Sequence, residues 1–449
     1  MEDNNRSVNV EKLASFISET SDGVISKLQH GKVQMQLFYL RSMVDDLKLQ
    51  ERIIKPFYEM ETANQYEQYL LSLEVGPAPK QMQELYVQLC KGYAAVWFGE
   101  KLFTVELNFL LNKQIRESNV ETVIQGPESA FSESIEVSMN LIRGRYNRPS
   151  LKLELTSVGT KVKTAVAIIY DNELVDPKLL KLMKDKLNSV QAEIIQAAGQ
   201  LQQEMNGRQR RLFPTMMVTE RPDRAALNLT QGKIVVMLDG TPFVLIAPVA
   251  VFDFMSSMED VYQSYWISRF LLVLRYIGLF VSLSLPGLYV AITAYNPELF
   301  RVQLALSIAG SRMGVPYPAF VEVLFMLLMM ELLTEASIRL PKTIGQTATT
   351  VGGLILGQAA TEAGLVSDIM IIIVAAVAIS NFVIPINSFS FAIRCVKYVV
   401  LLVSTLYGLI GFVLCTIIMV AYLVNLESMG DPYLKLFKGD DKQIRGGKL

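Results

Sequence analysis

The sequence predicts an α+β region of two tandem α/β subdomains, followed by an α-helical transmembrane bundle. Of the 85 charged residues, only 14 lie among the 160 residues from 267 to 426, so a charged part precedes an apolar part. Strand-like and helix-like runs recur in the same order within the charged part. The apolar part contains stretches that are long enough to cross a bilayer.

Composition narrows the range of functions. The formal net charge of −1 gives no general attraction to nucleic acid. The chain has one histidine, His30, and three cysteines, Cys90, Cys395 and Cys415, and it contains no CxxC, HExxH, GxxxxGKS/T or GxGxxG pattern. We therefore expect no enzyme activity, no cofactor and no metal site. The first 27 residues lack the apolar core of a signal peptide, which favours a cytoplasmic N-terminal region.

The charged part is interpreted as two related units. Residues 33–40 and 162–170 are each predicted to be a strand, and a helix is predicted to follow from about Asp46 and Asp176 respectively. Both pairs lie about 130 residues apart. This repetition favours an internal duplication, with chance similarity between two common α/β patterns as the alternative.

A hairpin is predicted to close each unit. Residues 92–107 and 232–247 each consist of two apolar, β-rich arms around a turn that contains glycine. Asp239 and Gly240 predict a type I′ turn, in which both central residues have positive φ. The predicted boundaries are 1–120 for the first subdomain, 121–150 for a linker helix and 151–262 for the second subdomain.

The linker is predicted to contain a helix with a basic end. Ile135, Met139 and Ile142 repeat at helical spacing, and cations near a helix C-terminus suit the helix dipole. Two interpretations stay open: a helix that docks between neighbouring subunits, or an ordinary connector with a solvated basic end. The candidate docking residues are Arg143, Arg145 and Arg148.

The apolar part, residues 263–428, predicts five or six membrane spans before a hydrophilic tail, residues 429–449. Residues 301–314 are short and are predicted to form an interfacial or re-entrant segment. Basic residues beside the five spans place the tail outside, whereas the basic tail itself favours the inside. A sixth crossing, near residues 301–316, would remove this conflict. The five predicted spans are 267–295, 317–338, 343–365, 369–393 and 398–426.

Polar residues in these spans exceed what anchoring in lipid requires. Glu322, Glu331 and Glu335 lie in or beside one span, where carboxylates are costly and usually face protein or water. Glu331 and Glu335 are one helical turn apart and are expected to share a face. Asn381 and Pro385 interrupt another span and are interpreted as a hinge or as residues that only shape the bundle.

A polar stripe is predicted along the span 343–365. One interpretation is a water-facing pore wall, with the intramembrane carboxylates selecting cations. The alternative is tight helix packing, in which Gly353, Gly357 and the Thr and Gln side chains hold neighbouring helices together. The candidate pore-lining residues are Thr343, Thr347, Thr350, Gln358, Thr361 and Glu362.

Several motifs, in one order, together resemble a known family. They are QGPE (125–128) with NLIR (140–143), TERPDR (219–224), LDGTPF (238–243), PGLYVA (286–291), RLP (339–341) with IGQ (344–346), and GQAA (357–360) with EAGLV (362–366). These residues resemble the A-subunit type of the GerA family of bacterial spore germination proteins, from about residue 25 to 437. Gly144 and Tyr146 stand where relatives are more often basic, which weakens the proposed docking charge.

The resemblance implies a multi-pass protein of the spore inner membrane whose N-terminal part faces the spore core. It implies two partners, a transporter-like B subunit and a lipoprotein C subunit. It also implies a ring-shaped homo-oligomer, expected to be a pentamer, whose pore conducts monovalent cations when a nutrient binds. This favours the pore interpretation over packing. A non-conducting scaffold that relays a signal and an orphan A-type channel that amplifies the germination signal stay open as alternatives.

Overall fold

The computed structural model describes most of the chain, in two compact units. The first unit is formed by residues 1–210 and 216–249, and the second by residues 211–215 and 250–449. The second unit therefore begins before residue 263, the boundary that the sequence predicts. The described residues are 10–31, 33–73, 79, 81–99, 101–108, 116–118, 120–207 and 211–435, with only the backbone described for Lys342, Thr343, Gln346 and Ala348.

The first unit opens with a four-stranded antiparallel sheet in the order β1-β2-β3-β4. Five helices and a π-helical turn, Gln50–Ile54, accompany the sheet. The elements are α1 (Val10–Ser18), β1 (Gly23–His30), β2 (Val33–Leu40), α2 (Asp46–Leu49), α3 (Lys55–Glu59), α4 (Ala63–Leu73), α5 (Met82–Cys90), β3 (Tyr93–Phe98) and β4 (Lys101–Glu106).

Alternation along β2 explains how this sheet is covered on both faces. Met35 and Leu37 point to one face and pack in a core with α4 and the π-helical turn. Phe38 and Leu40 point to the other face and pack with α1 and α5. Successive strand residues point to opposite faces, so an apolar residue on each side buries both.

The second sheet of this unit has five antiparallel strands in the order β7-β8-β10-β11-β9. Asp176 caps α7 through a hydrogen bond from the Lys178 N–H, with Pro177 at the first helical position. The elements are β5 (Arg116–Glu117), β6 (Ser129–Ala130), α6 (Ile135–Arg145), β7 (Leu151–Val158), β8 (Thr164–Asp171), α7 (Pro177–Asn188), α8 (Ala198–Met205), β9 (Met217–Thr219), α9 (Pro222–Leu229), β10 (Ile234–Leu238) and β11 (Val244–Ala247).

The two sheets share a strand order, as an internal duplication predicts. β1-β2-β3-β4 corresponds to β7-β8-β10-β11, and β9 is added at one edge of the second sheet. The turn between β10 and β11 differs from the prediction, because Gly240 has φ +83° but Asp239 does not have positive φ. The Asp239 carboxylate instead accepts a hydrogen bond from the Ile135 N–H, so this longer turn holds the start of α6.

The second unit is helical. The segments that the sequence predicts as spans correspond to α11, α13, α14, α15 and α16. The bounds of the last two differ from the prediction, because the chain leaves helical geometry at residues 384–386, around Pro385, and not at Arg394. The elements are α10 (Glu259–Tyr262), α11 (Tyr265–Tyr295), α12 (Val302–Arg312), α13 (Ala319–Ile338), α14 (Lys342–Glu362), α15 (Asp368–Val383), α16 (Asn387–Asn425), β12 (Glu427–Ser428) and β13 (Asp431–Pro432).

The last helix, α16, folds back on itself. Gly408 has φ 60° and ψ −144°, which is not helical. The Phe213 ring lies 5.7 Å from the Phe389 ring and 6.2 Å from the Tyr422 ring. A straight helix would separate Phe389 from Tyr422 by about 50 Å, at 1.5 Å per residue. The chain therefore reverses at Gly408, and the two arms of α16 lie side by side.

This reversal places residues 426–435 at the end of the bundle where α11 begins. The turn at Gly408 packs on Tyr295, the last residue of α11. Phe389 instead stacks on Phe254, which precedes α11 and also contacts the Tyr433 ring. The second arm of α16 is therefore a sixth long helical segment of the bundle, whereas residues 301–316, which the sequence suggests for a sixth crossing, contain only the short helix α12. α12 has 11 residues and spans only about 16 Å.

Candidate functional site

The polar stripe lies on the face of α14 that no helix of the same chain covers within the described residues. Thr361 is half-buried, and its hydroxyl donates to the backbone carbonyl of Gln358 at 2.8 Å. Thr343 belongs to α14, but its side chain lies outside the described residues. The exposed members of the stripe are Thr347, Thr350, Gln358 and Glu362.

The opposite face of α14 packs through small residues. A Cβ at Gly352 would lie 3.0 Å from Leu333 Cδ1 of α13, so glycine permits this close approach. At Gly353, which the GxxxG pattern selects, a Cβ would meet no described atom within 4 Å. Packing within one chain therefore uses a different face from the stripe.

Glu331 is paired with two cations of α16. Its Oε1 accepts a hydrogen bond from Lys397 Nζ at 3.1 Å, and its Oε2 accepts one from Arg394. Lys397 is only 1% exposed, and a buried ammonium needs a carboxylate partner. Glu331 thus joins α13 to the first arm of α16, and both of its oxygens are engaged.

The other two carboxylates have different surroundings, although one helix carries all three. Glu335 is exposed and pairs with Arg339 at 2.8 Å, one turn along α13. Glu322 is buried and accepts hydrogen bonds from Arg312 Nε at 3.0 Å and from the Ser367 backbone N–H at 3.1 Å. Glu331 and Glu335 therefore do not act on a common partner.

The candidate hinge is a break between two helices. α15 ends at Val383, and α16 begins at Asn387, with Pro385 in the extended stretch between them. The Asn381 side-chain oxygen accepts a hydrogen bond from Ser282 of α11, and its backbone carbonyl accepts one from Ser390 at 3.1 Å. These bonds fix both sides of the break to neighbouring helices.

In the first unit, the three candidate docking arginines occupy different environments. Arg143 is 2% exposed and binds Asp22 with two hydrogen bonds, Nε to Oδ2 at 2.8 Å and Nη2 to Oδ1 at 2.7 Å. Burial would raise the pKa of the Asp22 carboxyl, but Arg143 and the Ser42 and Thr20 hydroxyls outweigh it and hold this pKa below its ordinary value. Arg143 is thus enclosed in this structure.

The other two arginines are accessible. Arg145 and Arg148 are exposed, and Arg145 donates a hydrogen bond to the Ser129 hydroxyl. Arg148 lies 3.8 Å from the buried Asp171 carboxylate. The Tyr146 hydroxyl also donates to Asp171, and burial together with this carboxylate raises the pKa of Tyr146 to about 12. Only Arg145 and Arg148 remain free enough at the surface to meet another chain.

The TERPDR motif forms a buried network that sequence patterns alone do not assign. Glu220 Oε1 accepts hydrogen bonds from the backbone N–H groups of Val120 and Glu121, at 2.6 and 3.2 Å. Arg221 donates to the carbonyls of Glu121 and Pro127, at 2.8 and 3.0 Å. The motif therefore fixes the segment that leads into α6, which is a structural role.

Two cavities accompany these features. One of about 310 Å³ lies near the tip of the β1-β2 hairpin and is lined by His30, Phe57, Glu61 and Tyr66 among others. The other, of about 130 Å³, borders Glu322 in the helical unit. Within the described ranges, no group of three or more His, Cys, Asp or Glu side chains is placed to hold a metal ion.

Length and composition identify two described helices that could cross a membrane, α11 and α16. α15 is apolar but shorter. α13 has 20 residues and contains the three glutamates. The apolar side chains that α11 and α16 expose include Phe270, Phe280, Leu402 and Ile410.

Comparisons with known proteins agree on one family. The sequence model of the Bacillus/Clostridium GerA spore germination protein matches residues 11–444. The membrane protein YfkQ of Bacillus subtilis (strain 168), described as uncharacterised, is 33% identical over 434 residues, which cover 95% of this chain and 85% of that protein. Spore germination protein KA of the same organism is 32% identical over 437 residues, covering 95% and 80%.

One solved structure is similar to the first unit. It is the crystal structure of the N-terminal domain of the A subunit of a Bacillus megaterium spore germinant receptor. The sequence identity is 24% and the TM-score is 0.42, and the match covers 54% of this chain and 93% of that one.

Proposed function

The chain belongs to the GerA family of spore germination proteins, and from this premise we propose that its copies assemble into a cation channel. In this proposal the chain is the A-type subunit of a germinant receptor, and channel opening triggers germination. The observation that carries it is the exposed polar stripe on α14, in a unit whose other exposed helix faces are largely apolar.

Membrane insertion is the first requirement, and the exposed side chains of α11 support it. Tyr265, Trp266 and Phe270 are 56%, 81% and 63% exposed, and the Arg269 guanidinium lies 5.2 Å from the centre of the Tyr265 ring. Aromatic rings beside a basic residue are typical of the membrane–water interface. With α16 counted as two arms, six helical segments would cross the bilayer, and the tail would lie on the same side as the start of α11.

The pore requires more than one copy. A single stripe on one helix cannot enclose a water-filled path, but stripes from several copies around an axis can. Such an arrangement would cover the polar face of α14, which is costly in lipid, and leave the apolar faces outside. We propose a ring, with five copies as the starting hypothesis, in which Thr347, Thr350, Gln358 and Glu362 face the pore.

The remaining parts of the assignment rest on the family. We place the protein in the spore inner membrane, with the first unit on the core side, together with a transporter-like B subunit and a lipoprotein C subunit. Nutrient binding would then open the pore to monovalent cations. Arg145 and Arg148, which are exposed, are the candidates for contacts between copies, and Asn381 and Pro385, beside and in the break between α15 and α16, are the candidate hinge for opening.

The test compares substitutions on and off the stripe. Thr350→Phe and Gln358→Leu should lower cation flux in proteoliposomes of the assembled receptor, while oligomer mass stays unchanged. Leu402→Phe is the control, because Leu402 is exposed on α16 and so does not belong to the stripe. Unchanged flux in both stripe variants would instead support a non-conducting scaffold.

A further inference from the structure

We infer that Glu322 forms a binding site for a monovalent cation, and that Arg312 occupies this site in the present structure. The Glu322 side chain has no exposed surface, so its charge needs compensation. Arg312 Nε at 3.0 Å and the Ser367 backbone N–H at 3.1 Å each supply one hydrogen bond. A carboxylate has about four acceptor positions, so part of its capacity remains for a further ligand.

Two more buried hydroxyls near this carboxylate are poorly satisfied. Tyr289 Oη and Ser367 Oγ are buried and make no hydrogen bond of ordinary geometry to any described residue. Their residues are 5% and 2% exposed. The Tyr289 hydroxyl interacts weakly with the Ser367 side chain, and the charged groups that act on it are Glu322 and Arg312. Because buried hydroxyls almost always have a partner, this cluster of oxygens points to a ligand.

The site also has a route of access. Glu322 lines the cavity of about 130 Å³, together with Tyr317, Val321, Phe325 and Leu365. A cavity of this size holds several water molecules or a partly hydrated ion. Its walls include half-exposed side chains, with Tyr317 at 46% and Leu365 at 37%. A small cation can therefore reach the carboxylate without unfolding the bundle.

Arg312 is held loosely enough to leave. It is the last residue of α12, and its side chain is 24% exposed. Ile308 is the one buried residue of α12. Withdrawal of α12 would thus break one ion pair, one long hydrogen bond from Arg312 Nη2 to the Tyr317 carbonyl at 3.4 Å, and little apolar packing. The Arg312 guanidinium therefore competes with a free cation for the Glu322 carboxylate, and only one of the two binds it at a time.

The donor set defines the class of cation. One carboxylate and two neutral hydroxyls carry a single negative charge, which matches an alkali cation such as Na⁺ or K⁺. A divalent cation such as Ca²⁺ usually has six to eight oxygen ligands, often including several carboxylates. This inference goes beyond the proposed channel, because binding and release of α12 do not require conduction.

The first experiment unfolds the full chain thermally in lipid nanodiscs. NaCl or KCl is compared with N-methylglucamine chloride at equal ionic strength. Arg312→Gln should show saturable stabilisation by the alkali cation. At ten times the dissociation constant, the folding equilibrium constant should rise about elevenfold. The double variant Arg312→Gln/Glu322→Gln should show none, and Arg339→Gln, which frees the exposed Glu335, should behave as the wild type does.

A second measurement uses the wild-type chain, so it does not depend on the stability of a variant. Saturating K⁺ should speed hydrogen exchange in α12 at least several-fold, because Arg312 is displaced, and Glu322→Gln should show the fast exchange without K⁺. Alkali-specific stabilisation that persists in the double variant would overturn the inference. So would exchange in α12 that stays the same from zero to 1 M K⁺. Both results are independent of ion flux, so they separate this site from the channel proposal.

Discussion

Replacement of Arg143 by methionine should destabilise the first sheet strongly. Arg143→Met keeps the length of the side chain but leaves the Asp22 carboxylate buried, with hydrogen bonds from Thr20 and Ser42 as its remaining side-chain support. The two side chains are 2% and 3% exposed, so water does not replace the lost partner. Breaking such a buried pair costs about 3–5 kcal/mol. Arg145→Met, on the exposed end of the same helix, should cost less than about 1 kcal/mol.

Hydrogen exchange in β1 and β2 measures this difference in the full chain. A loss of about 3–5 kcal/mol corresponds to exchange that is roughly 100- to 4,000-fold faster, when opening of the sheet controls exchange. Acceleration within tenfold of the Arg145→Met control would refute the buried-pair argument. It would also restore Arg143 as a docking candidate.

The same pair predicts a pH dependence. The pKa of Asp22 is lower in the folded chain than in the unfolded chain. Its contribution to stability is therefore complete above the ordinary pKa of about 3.9 and is lost as the pH falls through the folded value. Asp22→Asn should be less stable than the wild type at pH 7, and the gap should close below pH 4. A gap that stays constant with pH would contradict the role of the ionised carboxylate.

Three further predictions concern the helical unit. Gly408→Ala should lower the midpoint of thermal unfolding, because φ 60° with ψ −144° costs about 1–3 kcal/mol for alanine. The new Cβ would also lie 2.8 Å from the Tyr295 ring. Gly353→Ala is the control and should not lower the midpoint, because the space around Gly353 is open. Equal midpoints would argue against the turn in α16. Glu331→Gln should lower the yield of folded protein, because Arg394 and Lys397 lose their carboxylate partner at a cost of about 3–5 kcal/mol in stability. Glu335→Gln, at an exposed position, should cost less than about 1 kcal/mol. Equal yields of the two variants would count against the Glu331 pair. The third prediction uses a chain lacking Cys395 and Cys415. Single cysteines at positions 256 and 435 should react with an impermeant thiol reagent from one side of the membrane, and a cysteine at position 298 should react from the other side. Labelling of positions 256 and 435 from opposite sides would contradict the reversal of α16.

Local patterns predicted the elements whose residues alternate or repeat clearly. The strands at 33–40 and near 164–171, the two hairpins and the helix after Asp176 all follow from such patterns. β1 and β7 were missed: β1 has no regular alternation, whereas β7 alternates leucine with polar residues and could have been recognised by that period. The long apolar run of α16 resembles one span, because a single glycine, Gly408, among leucines and valines does not by itself predict that the chain reverses direction.

The site depends more on contacts distant in sequence. Arg143 was predicted as a docking residue, but it is buried against Asp22, which lies 121 residues earlier in the chain. Glu331 likewise meets Arg394 and Lys397 across more than 60 residues. No local pattern encodes such pairs, whereas the stripe on α14 is defined by its own helical period and was visible from the sequence.

The central claim is that the exposed stripe of α14 lines a cation pathway. The most direct measurement is the current through the assembled receptor in a planar bilayer, with cysteine placed at Gln358 in a chain lacking Cys395 and Cys415. A cationic thiol reagent should reduce the cation current in Gln358→Cys and leave it unchanged in Leu402→Cys, an exposed position on α16 outside the stripe. An undiminished current in a fully modified Gln358→Cys receptor would contradict the claim.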